Sequence, residues 1–304
     1  MNLIKKSLIG FCECGTATRF FDSEFSVYVC SQECQETIWR VNLSSNPILS
    51  QEHRRKFYPN EIQNEERLIH LSNYTKAILI VVHDALDYLE QCVKSIKAVT
   101  SNFKLYIWDN ASQTVIPEAI RSEVNQGFII PNNRLAEMVT EDVIICLNSD
   151  TVVSEGWDNA LCSFLDLGYS QVGCLGGLLE EDFTGSYTAF GEDIDYVLGW
   201  CFAIKRSTYE KYGLFSEDLQ QAYFEDVDLS LRLRANGEKI YALYSPFVHH
   251  YGGKTISVID VDFYNKIKFN HGIVKNKWKE VFTKRNFERN PRIWSSPGKI
   301  IKET

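Results

Sequence analysis

Residues 143–150, VIICLNSD, pass from a run of apolar side chains to Asn148, Ser149 and Asp150 as the chain leaves the core. Oxygen donors of this kind suit hard divalent cations such as Mg2+ or Mn2+. In open α/β sheets a charged, metal-bound ligand sits in the crevice beyond the carboxyl ends of the strands. The same cluster is also ordinary turn chemistry, so its meaning depends on what converges on it. Downstream, Phe224-Glu225-Asp226-Val227-Asp228 sets three carboxylates at the expected start of a helix. Acids are favoured there by the free backbone N–H groups and the helix dipole. Capping accounts for one acid; three exceed that need. Asp228 stands four residues before Arg232, the spacing of an ion pair along a helix. PFVHHYGG then brings His249 and His250 after a short apolar run, and a neutral imidazole is a competent Mn2+ ligand.

A second constellation is made of thiols. Cys12 and Cys14 are separated from Cys30 and Cys34 by 15 residues. Two close pairs around a short loop can supply four thiolates to one tetrahedral zinc ion, a closed site whose role is structural. FSVYVC reads as a strand and SQECQETIWRV as a helix opened by Ser31, an arrangement that resembles a treble-clef zinc finger. The alternative is four reduced, unliganded thiols. Cys92, Cys146, Cys162, Cys174 and Cys201 lie singly among apolar residues, as small buried hydrophobes do.

These groups need a scaffold. KAILIVVH, from Lys76, is a buried-type strand, and ALDYLEQCVKSIKAV follows with helical spacing of Leu86, Leu89, Val93, Ile96 and Val99. KLYIWDN is a second strand ending in Asp109 and Asn110. A helix-like LAEMVT leads to the third strand, EDVIICLNSD. Strands alternating with helices predict an α/β fold with a mainly parallel sheet between helical layers. The chain divides into a four-cysteine, zinc-finger-like module at 1–45, a polar connector at 46–75 without strong periodicity, a main domain at 76–262 and a basic helical extension at 263–304. With 44% apolar and 24% charged residues the composition is that of a soluble globular protein. No apolar run approaches the roughly 20 residues of a transmembrane helix, and the N-terminus lacks the pattern of a signal peptide. A cytoplasmic protein is expected. The net charge of −8 is uneven: residues 263–304 carry 11 Lys and Arg against 3 acids, so the tail is +8 and the remainder −16. Such a tail suits a polyanion or an anionic membrane surface, or it is a solvated terminal helix.

Several of these segments, in order, resemble the family 2 nucleotide-sugar glycosyltransferases of the GT-A (Rossmann-like) fold. ILIVVHDALDYLEQCVKSI resembles the family's opening strand and helix, with Asp84 where Asn is usual. IWDNAS at 107–112 is similar to its second-strand motif. NQGF at 125–128, followed by Asn133, resembles a further family pattern. LNSDTVVSEGW at 147–157 resembles the metal-motif segment. LGWCFAIKRSTYEKYGLFSEDL, YFEDVDLSLRLRANG and PFVHHYGGKT resemble the acceptor-side half. Together they span about Lys76 to Thr255.

The resemblance implies a metal-dependent, inverting transfer of a sugar from a nucleotide donor, with UDP favoured, to an acceptor hydroxyl. It assigns Asp150 as direct ligand of Mn2+ or Mg2+ and sets Asn148 and Ser149 beside metal or donor sugar. It aligns His250 with the family histidine at the metal or diphosphate; His249, one residue away on the opposite strand face, is the alternative. Asp226 becomes the general base and Glu225 its neighbour. Asp109 is implied to contact the nucleobase, with His83 and Asp84 beside it and Asn133 on the donor side. Trp200 offers either a sugar platform or core packing. The acceptor stays open between a nucleic acid, such as a modified base of viral DNA, and a glycan or lipid-linked saccharide at a membrane. A non-catalytic binding protein and a nucleotidyltransferase are the alternatives of other classes.

Overall fold

A computed structural model describes residues 20–22, 27–29, 51–245, 247–252 and 261–286. Strands β1 (Phe20–Asp22) and β2 (Val27–Val29) pair antiparallel. Cys12, Cys14, Cys30 and Cys34, and with them the expected zinc site, lie outside the described residues.

The main sheet is built on β3 (Lys76–Val82). Ile78, Leu79, Ile80 and Val82 are fully buried, as expected of a parallel strand covered on both faces. α3 (Leu86–Val99) then leads to β4 (Phe103–Asn110) and the short β5 (Ile120–Ser122). α4 (Ile129–Ala136) precedes β6 (Val143–Leu147), β7 (Thr151–Val153) and α5 (Trp157–Asp166). α4 begins earlier than the segment LAEMVT suggests, directly after the left-handed turn at Gly127, and it tolerates Pro131 in its first turn. Next come β8 (Gln171–Gly173), β9 (Gly176–Leu179), β10 (Gly185–Ala189), β11 (Tyr196–Val197) and β12 (Cys201–Lys205). α6 (Arg206–Tyr212), α7 (Glu225–Ala235), β13 (Ile240–Ala242), β14 (Val248–His250) and α8 (Val261–Asn286) complete the order.

Seven strands run β13-β8-β12-β6-β3-β4-β5 in one sheet. All neighbours are parallel except β12, which is antiparallel to both β6 and β8. The sheet is mainly parallel, as expected, with the one reversed strand β12 making it mixed. Its register sets Cys201 opposite Leu147, so Gly199 and Trp200 emerge beside Asn148. A separate antiparallel pair, β14 with β7, sets His250 opposite Thr151. Side chains alternate across β3. Ile78 and Ile80 pack with Leu89 and Ile96 of α3 and with Leu161 and Phe164 of α5. Ala77 and Leu79 share the other core with Leu135 of α4, Leu229 and Leu233 of α7, and Val274 and Phe282 of α8.

The connector before the sheet holds two helices, α1 (Gln51–Phe57) and α2 (Pro59–Leu68). Their inward charges grip the segment that leads to β14. Arg54 Nη1 donates to Cys174 O at 3.0 Å and Leu243 O at 3.4 Å. Glu65 accepts from Tyr241 Oη and from Tyr244 N, Ser245 N and Ser245 Oγ at 2.8–2.9 Å. The expected division at 262/263 falls within the single helix α8. No helix among the described residues is long and apolar enough to cross a membrane.

Candidate active site

Asp150 and His250 meet where β7 and β14 diverge. Asp150 Oδ1 lies 3.0 Å from His250 Nε2, and both side chains are nearly buried, 2% and 11% exposed. Their joint placement follows from the β14–β7 pairing and from Tyr251 N donating to Asp150 O at 2.9 Å. The Trp200 ring stacks on the His250 imidazole at 4.8 Å between centroids and 15° between planes. Asn148 Nδ2 lies 3.4 Å from the same Nε2. His249 faces away, exposed, edge-on to Tyr251. Asp150 Oδ1 and His250 Nε2 are within direct hydrogen-bond distance, and an aspartate oxygen beside an imidazole nitrogen is a donor pair that would suit a hard divalent cation. Among the described residues no group of three or more His, Cys, Asp and Glu side chains is placed to hold a metal. A cation held by Asp150 and His250 alone keeps positions for diphosphate oxygens and water, the usual arrangement for Mg2+ in nucleotide sites.

Glu225 and Asp226 open α7 after two residues forced into the left-handed region, Tyr223 (φ 70°) and Phe224 (φ 69°). Strain of this sort, about 1–3 kcal/mol per residue, concentrates at functional sites. Asp226 Oδ2 accepts from Gly199 N at 2.9 Å and its Oδ1 from Val227 N at 2.8 Å. Burial pushes the Asp226 carboxyl up to about 6 against those two bonds. Burial and the neighbouring Asp226 charge also push Glu225 well above the carboxylate range. The approach is close: a Cβ on Gly199 would sit in van der Waals contact with Asp226 Cβ and Glu225 Oε1, both 3.4 Å away. Asp228 is excluded from this chemistry. It is buried, accepts from Lys277 Nζ and Trp278 Nε1 at 2.8 Å, and forms the expected pair with Arg232 at 3.4 Å.

The two halves touch through one dipeptide. Gly199 N holds Asp226, while the next residue, Trp200, stacks on His250 and accepts from Asn148 N through its carbonyl at 2.8 Å. Four buried polar atoms here have no hydrogen-bond partner among the described residues: Ser149 Oγ, Trp200 Nε1, His250 Nδ1 and Glu225 Oε2. Buried polar groups are rarely left so, and a polar ligand between the strand ends would satisfy them. Trp200, open to two readings in sequence, lies with its ring against His250 and backs the imidazole.

Four residues expected on the donor side, Asp109, Asn133, Asp84 and His83, are each held by partners within the structure. Asp109 is fully buried, paired with Arg121, and accepts from Ser112 N at 2.9 Å and Ile116 N at 3.3 Å. Burial pushes its carboxyl up, but the Ser112, Arg121 and Ile116 hydrogen bonds hold it below the usual range. In this structure it organises the loop at the end of β4. The Asn133 amide accepts from Phe215 N at 3.0 Å and donates to Phe215 O at 2.9 Å, tying α4 to that segment. Asp84 accepts from Gln113 N at 2.6 Å. His83 donates from Nδ1 to Asn110 O at 2.8 Å, with Nε2 of its partly exposed ring 3.7 Å from Asp84 Oδ2. Arg121 and Gly199 escaped sequence reasoning, since a lone Arg in IRS and a Gly before Trp carry no motif of their own.

Residues 77–188, less than half of the chain, match the family model Glycosyl transferase family 2. Among solved structures, the chain resembles GalNAc-T7 with UDP, GalNAc and Mn2+ at a TM-score of 0.57 and 16% identity, over 68% of this chain and 48% of that one. TarS 1-349 of S. aureus in complex with UDP-GlcNAc matches at 0.49 and 14%, over 64% and 65%. The mannosyltransferase PcManGT from Pyrobaculum calidifontis, in complex with GDP-Man and Mn2+, matches at 0.46 and 12%, over 63% of each chain. No curated protein sequence matches. The chain spans about half the length of the GalNAc-T7 structure. The matched segment is a glycosyltransferase domain, and the GalNAc-T7 likeness shows the GT-A fold.

Proposed function

We propose that the chain is a metal-dependent, inverting glycosyltransferase that moves a sugar from a nucleotide donor, with UDP favoured, to an acceptor hydroxyl. The observation that carries this is the Gly199-Trp200 bridge, which joins a carboxylate base to the Asp150–His250 pair. Asp150 Oδ1 and His250 Nε2 hold a divalent cation, which when bound neutralises charge on the leaving diphosphate. Asp226, fixed by two backbone N–H groups, takes the hydroxyl proton as the acceptor oxygen bonds to the anomeric carbon and the bond to the diphosphate oxygen breaks. One displacement with one base inverts the anomeric centre. Glu225, its Oε2 unpaired among the described residues, is placed to bond a sugar hydroxyl. The exposed edge of His83 and the loop held by Asp84 and Asp109 form the rim for the base, and Arg121 is a better candidate for contacting it than the buried Asp109 carboxylate.

The test is a panel of nucleotide sugars with and without Mn2+, read by thermal stabilisation and by nucleoside diphosphate release. Mn2+-dependent release with one donor, lost in Asp226→Asn, supports the reading. Stabilisation without release under any acceptor would make the chain a nucleotide-sugar binding protein. Transfer of a nucleotidyl group, seen in the products, would make it a nucleotidyltransferase.

For the acceptor, the +8 segment at 263–304 favours a polyanion, and a modified base of duplex DNA fits. Salt-sensitive duplex binding supports this; no binding at low salt points to a glycan or lipid-linked saccharide. Zinc held by Cys12, Cys14, Cys30 and Cys34, and a cytoplasmic location, belong to the same proposal. Metal analysis of the purified chain tests the zinc.

A further inference from the structure

Asn270, in the middle of α8, is fully buried and engages one loop with its whole amide. Its Oδ1 accepts from Gln220 N at 2.7 Å. Its Nδ2 lies within 2.7, 3.1 and 3.0 Å of the carbonyls of Gln220, Ala222 and Tyr223. Two hydrogens therefore serve three acceptors. Four residues earlier, Lys266 Nζ donates to Gln221 Oε1 at 2.8 Å. On its other side the loop is gripped by the segment before α4: Phe128 N donates to Gln221 O at 2.6 Å. Within the loop Gln221, Tyr223 and Phe224 all hold positive φ, a conformation that L residues adopt only where surroundings impose it. The next two residues are Glu225 and Asp226.

We propose that Asn270 is a positioning residue: it imposes the left-handed path of residues 220–224 and so sets where α7 begins and where Glu225 and Asp226 stand. α8 is then a working part of the active centre, not an appended basic tail. The inference rests on the reading of Asp226 as the base, yet the clasp itself can be tested without turnover.

Asn270→Asp keeps size and replaces the amide donor with a carboxylate facing three carbonyls. Hydrogen exchange at residues 220–225 should accelerate in this variant while β3 and β6 keep their protection. A displacement on the order of 1 Å at the reacting groups lowers rate about 100-fold, so kcat should fall by about that factor while KM for the nucleotide sugar stays within about twofold. Unchanged loop exchange, or kcat within about twofold of the native enzyme, overturns the proposal. Should Asn270→Asp fail to fold, Lys266→Met removes the flanking bond to Gln221. There a loss of kcat of about threefold at unchanged donor KM supports the clasp, and native kcat overturns it. If the native chain consumes no nucleotide sugar, the glycosyltransferase reading falls, and the exchange measurement alone decides the clasp.

Discussion

A carboxyl group pushed up to about 6 is half protonated near that pH and serves fully as a base only above it. If Asp226 is the base, kcat/KM rises with pH through about 6 to a plateau, and Asp226→Asn abolishes both the rise and about 10²–10⁴-fold of the rate. A flat profile from about pH 5 to 8 in the native enzyme would remove Asp226 from the proton transfer. The same shift acts on stability. The folded state binds the proton more tightly than the unfolded chain does, so its stability falls as pH rises from about 4 to about 6. Asp226→Asn should accordingly melt higher than the native protein at about pH 8, with the gap closing below about pH 4, by calorimetry across that range. At the other end of the Gly199-Trp200 bridge, if Asp150 and His250 hold the cation, Mn2+ affinity of His250→Ala measured with UDP present should weaken by at least the factor of about 10–100 that loss of an outer-shell partner costs. Much of this site was legible in sequence because its polar residues end apolar strands. The partners of Asp109, Asn133 and Trp200 were not, since the local pattern does not name them. Those partners are Arg121, the Phe215 backbone 82 residues on, and His250.

At the scale of elements, the loops carry the constraint. Gly127 has φ +77°, and a Cβ on it meets Gln221 O at 2.5 Å and Gln221 Cα at 2.6 Å, backbone atoms of the loop that Asn270 bonds at Gln220, Ala222 and Tyr223. Gly127→Ala combines a strained φ with an overlap that cannot relax by side-chain rotation, so it should destabilise the protein by about 2–4 kcal/mol, measured by urea unfolding; a loss below about 1 kcal/mol would show the clasped loop to be compliant. The strands β3, β4 and β6 could be read directly, since continuous apolar runs are what a doubly covered sheet requires. α1 and α2 could not. Their inward residues include Arg54 and Glu65, whose charges are satisfied by carbonyls, hydroxyls and amides more than a hundred residues away, and no periodicity of apolar residues announces such a face. The reversal of β12 is equally silent, because an apolar strand reads the same in either direction.

Taken whole, the molecule sets an acidic body against a basic C-terminal segment, but the division lies in a different place from the one charge alone suggests. Residues 263–286 hold seven of that segment's eleven Lys and Arg, and they belong to α8, whose Ile267, Asn270, Val274 and Phe282 are buried in the body. Lys277 is engaged by Asp228. Burying three apolar side chains contributes roughly 5–9 kcal/mol, comparable with the whole stability of a domain, about 5–15 kcal/mol. A chain ending at residue 262 should therefore fail to fold cooperatively. One ending at residue 286 should keep the native melting temperature and donor turnover, losing only the four Lys and Arg beyond it. If duplex DNA is the acceptor, the shorter cut also keeps most of the salt dependence of binding, because the phosphate-facing charge lies on the helix. Filter binding between about 50 and 200 mM salt distinguishes the cases: a slope carried wholly by residues 287–304 would return the tail to the status of an independent arm, whereas a slope carried by α8 would put the polyanion alongside the loop that aims Asp226.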